Sequence, residues 1–152
     1  MPSHTYLSII LKPLEEYIDN YNWVISDLEY YSTIHFENEY PINLNDEYFM
    51  LSTEELKIVL SKNIQIWWGV LLAVPISEKI ELGNDIPYAD GNTTVWKNNN
   101  FQIPNAEIEI VCFDSTCTIV KFTNKKLSDK FKSFFGEDAI PLEKFDYNKL
   151  YK

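Results

Sequence analysis

The stretch IQIWWGVLLAVP, residues 64–75, carries no charge in a chain of 152 residues that holds 23 acidic and 13 basic side chains. A membrane anchor, an exposed binding surface and a buried strand can each be built from such a run. A membrane-spanning helix needs about 20 apolar residues, and Gly69 and Pro75 interrupt this shorter one. A continuous apolar run of this length is typical of a strand covered on both faces. We therefore predict that residues 64–74 form the central strand.

Three amphipathic helices are predicted from apolar spacing and from capping residues. In LKPLEEYIDNYN, residues 11–22, apolar side chains recur at the i, i+3, i+4 and i+7 positions of a helix. Ser52 and Glu55 have the spacing of a capping box, which predicts that a second helix begins there. In NKKLSDKFKSFFGED, residues 124–138, the spacing is again helical, and Gly136 is a typical stop.

The remaining regular segments predict strands. WVISDLEYYSTIHFENEY, residues 23–40, is rich in aromatic and β-branched residues and predicts two strands, or one bent strand, around Ser26 and Asp27. EYFML, residues 47–51, predicts a short strand, and AEIEIVCFDSTCTIVKFTN, residues 106–124, predicts a hairpin around DST. Since helices and strands are mixed without a regular βαβ alternation, we predict one α+β domain over residues 1–152, with a mostly antiparallel central sheet of about five or six strands and three helices.

Residues 77–105 are rich in Gly, Pro, Asn and Asp and form the least regular part of the sequence. We expect a long loop with one or two short strands, at residues 79–82 and 94–96. Long loops on compact domains often carry function, but a plain connection between elements has the same composition. The sequence does not decide between these two interpretations.

The two cysteines, Cys112 and Cys117, flank the predicted hairpin turn. They would face each other only if the loop had four residues, because two- and three-residue loops put them out of register. We therefore predict free thiols, as in a protein of the reducing cytoplasm. No secretory signal is visible at the N-terminus, which also favours a cytoplasmic protein.

Sequence patterns of known catalytic sites are missing. There is no glycine-rich phosphate loop, no nucleophile elbow and no zinc-binding HExxH motif. His35, Glu37 and Glu39 alternate along one predicted strand, which is a weak metal-binding pattern and is more typical of a solvated strand face. We predict a protein that is not an enzyme, with no catalytic residues, no metal site and no cofactor.

The charge of the chain restricts its partners. The formal net charge is −10, and all 13 basic residues are lysines. Proteins that bind nucleic acid directly usually present a basic face and use the arginine guanidinium to contact phosphate. We therefore predict no direct binding to nucleic acid. Because the apolar runs are too short to span a bilayer, we also predict no association with membranes.

A window of 21 residues, 27–47, contains six acidic residues, several tyrosines and no lysine. Acidic groups steer a basic protein toward a surface, and tyrosines supply contact area. A solvated acidic face that keeps the protein soluble would have the same composition. The partner-binding surface that we predict consists of Asp27, Glu29, Glu37, Glu39, Tyr40, Asp46 and Glu47.

The order of these segments resembles a group of small acidic bacterial proteins. ILKPLEEYIDNYNWVIS, then an acidic aromatic strand, then IQIWWGVLLAVP, and finally AEIEIVCFDSTCTIVKFTN with its following helix, is similar to immunity proteins, the antitoxins of polymorphic toxin systems. The resemblance covers most of the chain and is one of pattern. It implies a non-enzymatic protein that binds and blocks a cognate toxin, often a basic nuclease. It assigns no site residues.

Two other classes of function remain open from the sequence. A small-molecule-binding or enzymatic domain would use a pocket built from Trp67, Trp68, Trp96 and the loop at residues 77–105. A nucleic-acid-mimicking inhibitor would carry carboxylates spaced like phosphates along one face. A single apolar pocket with converging polar groups would favour the first class.

Overall fold

The computed structural model describes residues 6–31, 41–42, 46–62, 64–82 and 85–151. Within them, five strands form one sheet in which every neighbouring pair is antiparallel, in the order β2-β1-β3-β4-β5. The predicted α+β fold with an antiparallel sheet and three helices is confirmed. The strands are β1 (Tyr21–Tyr31), β2 (Tyr48–Leu51), β3 (Gln65–Pro75), β4 (Ile108–Phe113) and β5 (Cys117–Phe122).

The uncharged apolar run at residues 64–75 contains β3, the middle strand, and its predicted place in the sheet is confirmed. It pairs with β1 on one side and β4 on the other, so its backbone groups are satisfied in the interior. Leu71 and Ala73 point into one apolar cluster, and Leu72 and Val74 point into another on the opposite face. A strand buried on both faces needs apolar side chains at both parities.

Helices cover the face of the sheet into which Leu71 and Ala73 point, which we call the first face. They are α1 (Leu7–Ile10), α2 (Thr53–Ser61) and α3 (Lys125–Phe135). The predicted capping box of α2 is present, because the Ser52 hydroxyl accepts from the Glu55 amide and the Glu55 carboxylate accepts from the Ser52 amide. The end of α3 is also as predicted, at Gly136, whose φ of 59° suits a residue without a Cβ. None of the helices in the described residues is long and apolar enough to cross a membrane.

The predicted helix at residues 11–22 is wrong in type and extent. The chain forms the short α1 first, and then two 3₁₀ turns at Lys12–Leu14 and Ile18–Asn20. Strand β1 begins at Tyr21, which pairs with Pro75 and takes over the last turn of the predicted helix. Leu14, Ile18 and Tyr21 still reach the first apolar cluster, so the periodicity marked core residues although the helix did not form.

The second face of the sheet is covered by loop and tail. The short strands predicted at residues 79–82 and 94–96 are not formed; the second is instead part of a 3₁₀ helix, Thr93–Trp96. The Asn92 side chain accepts from the Thr94 amide and begins this helix, which is a local alternative to strand pairing. We have no physical reason why residues 79–82 do not pair.

The C-terminal tail packs an aromatic cluster against the second face. The ring of Trp96 stacks on Tyr147 at 5.0 Å between centroids and on Phe145 at 5.8 Å. Its indole N–H donates to the Tyr151 hydroxyl at 3.0 Å, and Phe113 meets it edge-on. We call the three tail residues, Phe145, Tyr147 and Tyr151, the aromatic clasp.

The two cysteines lie on opposite faces of the β4–β5 hairpin. Phe113 pairs with Cys117, so the loop has three residues, and Cys112 stands opposite Thr118. Cys112 packs in the first apolar cluster, and Cys117 packs against the second. Both thiols are free, as predicted.

The buried thiol of Cys112 should make the protein sensitive to alkali. Burial raises the pKa of the Cys112 thiol to about 12, from the usual value of 9.0. The unfolded thiol loses its proton first as pH rises, so the free energy of unfolding should fall above pH 9 by about 1.4 kcal/mol per pH unit from this group alone. Urea denaturation between about pH 8 and pH 10 measures this slope. Cys112→Ala should remove that part of the slope, and an unchanged slope would contradict the assignment.

Candidate functional site

Strand β1 bends at Asp27. This residue has a φ of 51°, in the left-handed region that Asp tolerates better than most residues. The register of β1 against β3 shifts between Ser26 and Glu29, so Ile25 and Leu28 both face the first apolar cluster. Within the described part of the predicted segment, the alternative of one strand bent around Ser26 and Asp27 is confirmed; residues 32–40 of that prediction lie outside the described residues.

The bend holds a loop that lies about 60 residues further along the chain. The Ser26 hydroxyl donates to the Pro87 carbonyl at 2.6 Å. The Asp27 carboxylate accepts from the backbone amides of Ala89 and Asp90 at 2.8 and 3.1 Å. We call residues 86–102 the wall segment, because its first residues form one wall of the cleft described next.

A cleft of about 400 Å³ opens between the bend in β1, the start of β2 and the wall segment. Its apolar lining comes from all three of these elements, and its carboxylates come from β1 and from the residues just before β2. We call it the acidic cleft. Its lining residues are Ile25, Ser26, Asp27, Leu28, Glu29, Asp46, Glu47, Phe49, Ile86, Pro87 and Tyr88.

Four of the seven residues predicted to bind a partner meet in the acidic cleft: Asp27, Glu29, Asp46 and Glu47. Asp27 and Glu29 come from β1, and the other two precede β2, which pairs with β1. The sheet therefore brings together acids that are about 20 positions apart in sequence. The remaining predicted site residues, Glu37, Glu39 and Tyr40, lie outside the described residues.

The carboxylates of the acidic cleft do not have equivalent roles. Those of Glu29 and Glu47 are exposed and make no ion pair with a lysine in the described part of the chain. Asp27, in contrast, is occupied by the amides of the wall segment and acts as a structural anchor. Asp85 and Asp90 are exposed on either side of residues 86–89 and add negative charge around the opening.

Sequence reasoning missed Tyr88, which lines the acidic cleft with an exposed ring. It lies in the irregular loop, where no periodicity distinguishes one residue from another. Its backbone is held by the Gln102 side chain, which accepts from the Tyr88 amide at 2.9 Å and donates to the Tyr88 carbonyl at 3.2 Å. The preceding Pro87 was the one local signal of a fixed turn.

A buried ion pair lies beneath the wall segment. Glu109 of β4 and Lys121 of β5 face each other across the hairpin, with Lys121 Nζ 3.5 Å from Glu109 Oε1 and both side chains almost wholly buried. The other oxygen, Oε2, accepts from the Gln102 amide at 2.8 Å. The Lys121 ammonium donates to the carbonyls of Asn100 at 2.9 Å and Thr94 at 3.5 Å.

Burial acts on both members of this pair. It raises the pKa of the Glu109 carboxyl, although the Gln102 amide and the Lys121 ammonium oppose the change. It lowers the pKa of Lys121, and the Glu109 carboxylate opposes that change. Each charge is therefore held in the interior by its partner and by backbone groups of the wall segment.

The three tryptophans of the alternative prediction do not form one pocket. Trp96 is buried under the aromatic clasp, and Trp68 packs edge-on against Phe113 with 4.7 Å between centroids. Trp67 is exposed and stacks on Tyr31 at 6.2 Å. None of the three lines the acidic cleft.

Among the described residues, no group of three or more His, Cys, Asp and Glu side chains could hold a metal ion. The weak pattern of His35, Glu37 and Glu39 lies outside those residues. Comparison with protein-family models, curated proteins and solved structures finds no match for this chain.

The anchoring role of Asp27 can be separated from a binding role. Asp27→Ala leaves two backbone amides without their acceptor. It also places alanine at a positive φ, which alanine tolerates less well than aspartate does. We therefore expect a loss of about 1–3 kcal/mol in the free energy of unfolding. Asp27→Asn keeps an acceptor oxygen and tolerates this φ, so its loss should be smaller. Urea denaturation measures both. Glu29→Ala on the same strand is the control, expected within about 0.5 kcal/mol of wild type, and an equal loss in all three variants would contradict the role.

Proposed function

We propose that this chain is a non-catalytic immunity protein that binds and neutralises a cognate basic toxin domain through the acidic cleft. The single observation that carries the proposal is the meeting of Asp27, Glu29, Asp46 and Glu47 around one concave surface. This class of protein is the one that the order of the sequence segments resembles. The proposed site of action is the cytoplasm of the bacterial cell that makes the toxin.

The charge of the cleft supports a basic partner. Glu29 and Glu47 have no compensating lysine among the described residues, and Asp85 and Asp90 extend the negative field. A surface of one sign raises the association rate of an oppositely charged protein. No residue that lines the cleft is a lysine or belongs to the lysine-rich part of the chain. That part, residues 121–152, holds 8 lysines and 5 acids, whereas residues 1–120 hold 5 lysines and 18 acids.

The shape and lining of the cleft support contact with a protein side chain. The half-buried side chains of Leu28, Phe49 and Ile86 supply apolar surface in the cleft beside the carboxylates. A lysine or arginine side chain has an apolar stem and a charged head, and it could bury the stem on this surface while the head meets the acids. Tyr88 at the wall adds an aromatic ring of the kind enriched in protein interfaces.

Co-expression with the product of the gene immediately upstream tests this function. We expect that product to be toxic alone, to be harmless when this chain is present, and to elute with it as one complex in size-exclusion chromatography. A product that is harmless alone, or a toxic product that this chain neither binds nor neutralises, would contradict the proposal. Binding to a nucleic-acid-processing enzyme at its nucleic-acid groove would instead indicate a nucleic-acid mimic.

A further inference from the structure

Buried polar side chains are concentrated beneath the wall segment. Burying a polar or charged group costs free energy unless it is paired, so each such group needs a reason. Four of five contact residues 86–102 or belong to them, and the fifth, Thr53, holds carbonyls on the first face. The buried polar residues of the described chain are Ser26, Thr53, Asn92, Glu109 and Lys121.

One line of hydrogen bonds runs from Glu109 to the acidic cleft. The Glu109 carboxylate accepts from the Gln102 backbone amide. The Gln102 side chain in turn accepts from the Tyr88 N–H and donates to the Tyr88 carbonyl. Both bonds between Gln102 and Tyr88 have ordinary lengths, 2.9 and 3.2 Å. The position of Tyr88 at the cleft is therefore tied to a carboxylate inside the sheet.

A second line starts from Lys121. Its ammonium donates to the Thr94 carbonyl at 3.5 Å and to the Asn100 carbonyl at 2.9 Å. It therefore connects two residues of the wall segment that are six positions apart in sequence. Asn92 accepts from the Thr94 amide and hydroxyl, and its own amide group donates to the Tyr88 carbonyl at 3.0 Å. The hydrogen bonds that start from Glu109 and those that start from Lys121 therefore both reach Tyr88.

We propose that Glu109 and Lys121 are positioning residues for the acidic cleft: they fix the conformation of the wall segment and so hold Tyr88 at the cleft wall. An apolar pair of similar volume would satisfy the core at least as well, because buried ion pairs contribute little net stability. An apolar pair could not bind the amide of Gln102 or the carbonyls of Thr94 and Asn100. This inference rests on the proposed function for the importance of the cleft, but the positioning itself does not need a partner.

Amide hydrogen exchange of the wall segment tests the positioning. The informative amides are those of Ala89 and Asp90, which are bonded to Asp27 and to neither Gln102 nor the ion pair. In Lys121→Met we expect both amides to exchange at least about tenfold faster than in wild type, because the wall segment opens locally. Gln102→Ala, which keeps the ion pair and is a milder change, should have the same effect at these amides.

A control variant separates local loosening from a general loss of stability. Leu56→Ala makes a cavity in the first apolar cluster, on the opposite side of the sheet. Leu56→Ala should not accelerate exchange at Ala89 and Asp90 more than it does at the amides of β3. Lys121→Met and Gln102→Ala should accelerate exchange at Ala89 and Asp90 more than at the amides of β3. Equal, non-selective acceleration in all three variants, or no acceleration in Gln102→Ala, would overturn the proposal.

Binding of the upstream gene product is measured in parallel with wild type and Gln102→Ala. A loosened wall leaves a smaller fraction of molecules ready to bind, so the dissociation constant should rise in proportion to that fraction. If exchange is selectively faster but affinity is unchanged, the wall does not serve this partner and the proposed link to the cleft is overturned. If wild type binds nothing, the proposed function fails, and the exchange data alone still decide the positioning role.

Discussion

Replacing Lys121 with methionine should destabilise the protein by about 3–5 kcal/mol, because it leaves the buried Glu109 carboxylate without its counter-charge. The Asn100 carbonyl also loses its donor. Methionine is apolar and similar in length to the aliphatic part of lysine, so the loss comes chiefly from the missing charge. Chemical denaturation, with the midpoint and slope compared to wild type, measures the effect.

A second substitution identifies the cause. Glu109→Gln added to Lys121→Met removes the stranded charge and keeps an oxygen that can accept from the Gln102 amide, so the double variant should be more stable than Lys121→Met by at least about 1 kcal/mol. Lys97→Met, at an exposed lysine, is the matched control and should change stability by less than about 0.5 kcal/mol. Strictly additive losses from Glu109→Gln and Lys121→Met would show that the two groups do not interact.

Reversing the charge of Glu29 and Glu47 to lysine should weaken binding to the basic partner by at least about 2 kcal/mol, or about 30-fold, since like charges would then face each other across the interface. Folding should be unaffected, because both side chains are exposed and form no ion pair among the described residues. Asp27 is left unchanged in this variant, since it anchors the wall segment.

The matched control reverses two acids away from the acidic cleft. Glu78→Lys with Glu143→Lys makes the same change in net charge at exposed positions that do not line the cleft. This control should lower the association rate only slightly, and raising the salt concentration should slow association of wild type more than of Glu29→Lys/Glu47→Lys. Equal loss of affinity in both double variants would mean that only the overall charge matters, and the cleft would not be the binding site.

The parts of the fold that were predictable are those in which one local rule governs a whole segment. The apolar run at residues 64–74 is too short to span a membrane and is typical of a strand covered on both faces. The capping box at Ser52 and the stop at Gly136 are local events. The last turn of the helix predicted at residues 11–22 was lost because pairing of Tyr21 with β3, a contact between distant segments, competed with the local preference. A short window of sequence does not contain that competitor.

The acidic part of the site was predictable because charge accumulates along the sequence, and the pairing of β1 with β2 brings its two ends together. The anchoring role of Asp27 and the place of Tyr88 were not predictable in the same way. The role of Asp27 depends on hydrogen bonds to residues about 60 positions away. The place of Tyr88 depends on Gln102, within an irregular loop. The predicted hairpin around DST places Lys121 opposite Glu109, but the burial of this pair was not predictable, because it depends on the irregular loop that covers it.

The aromatic clasp has a consequence for how the protein is made. The segment that bears it, residues 142–151, leaves the ribosome after Trp96 and the strands that it covers. Until then the indole ring and the part of the second face that the clasp covers are open to water and to other nascent chains, although residues of the loop already cover the rest of that face. During synthesis, the N-terminal parts of a protein usually fold first. A truncation before residue 142 would therefore leave an apolar patch on the second face exposed, and exposed apolar patches of this kind promote aggregation.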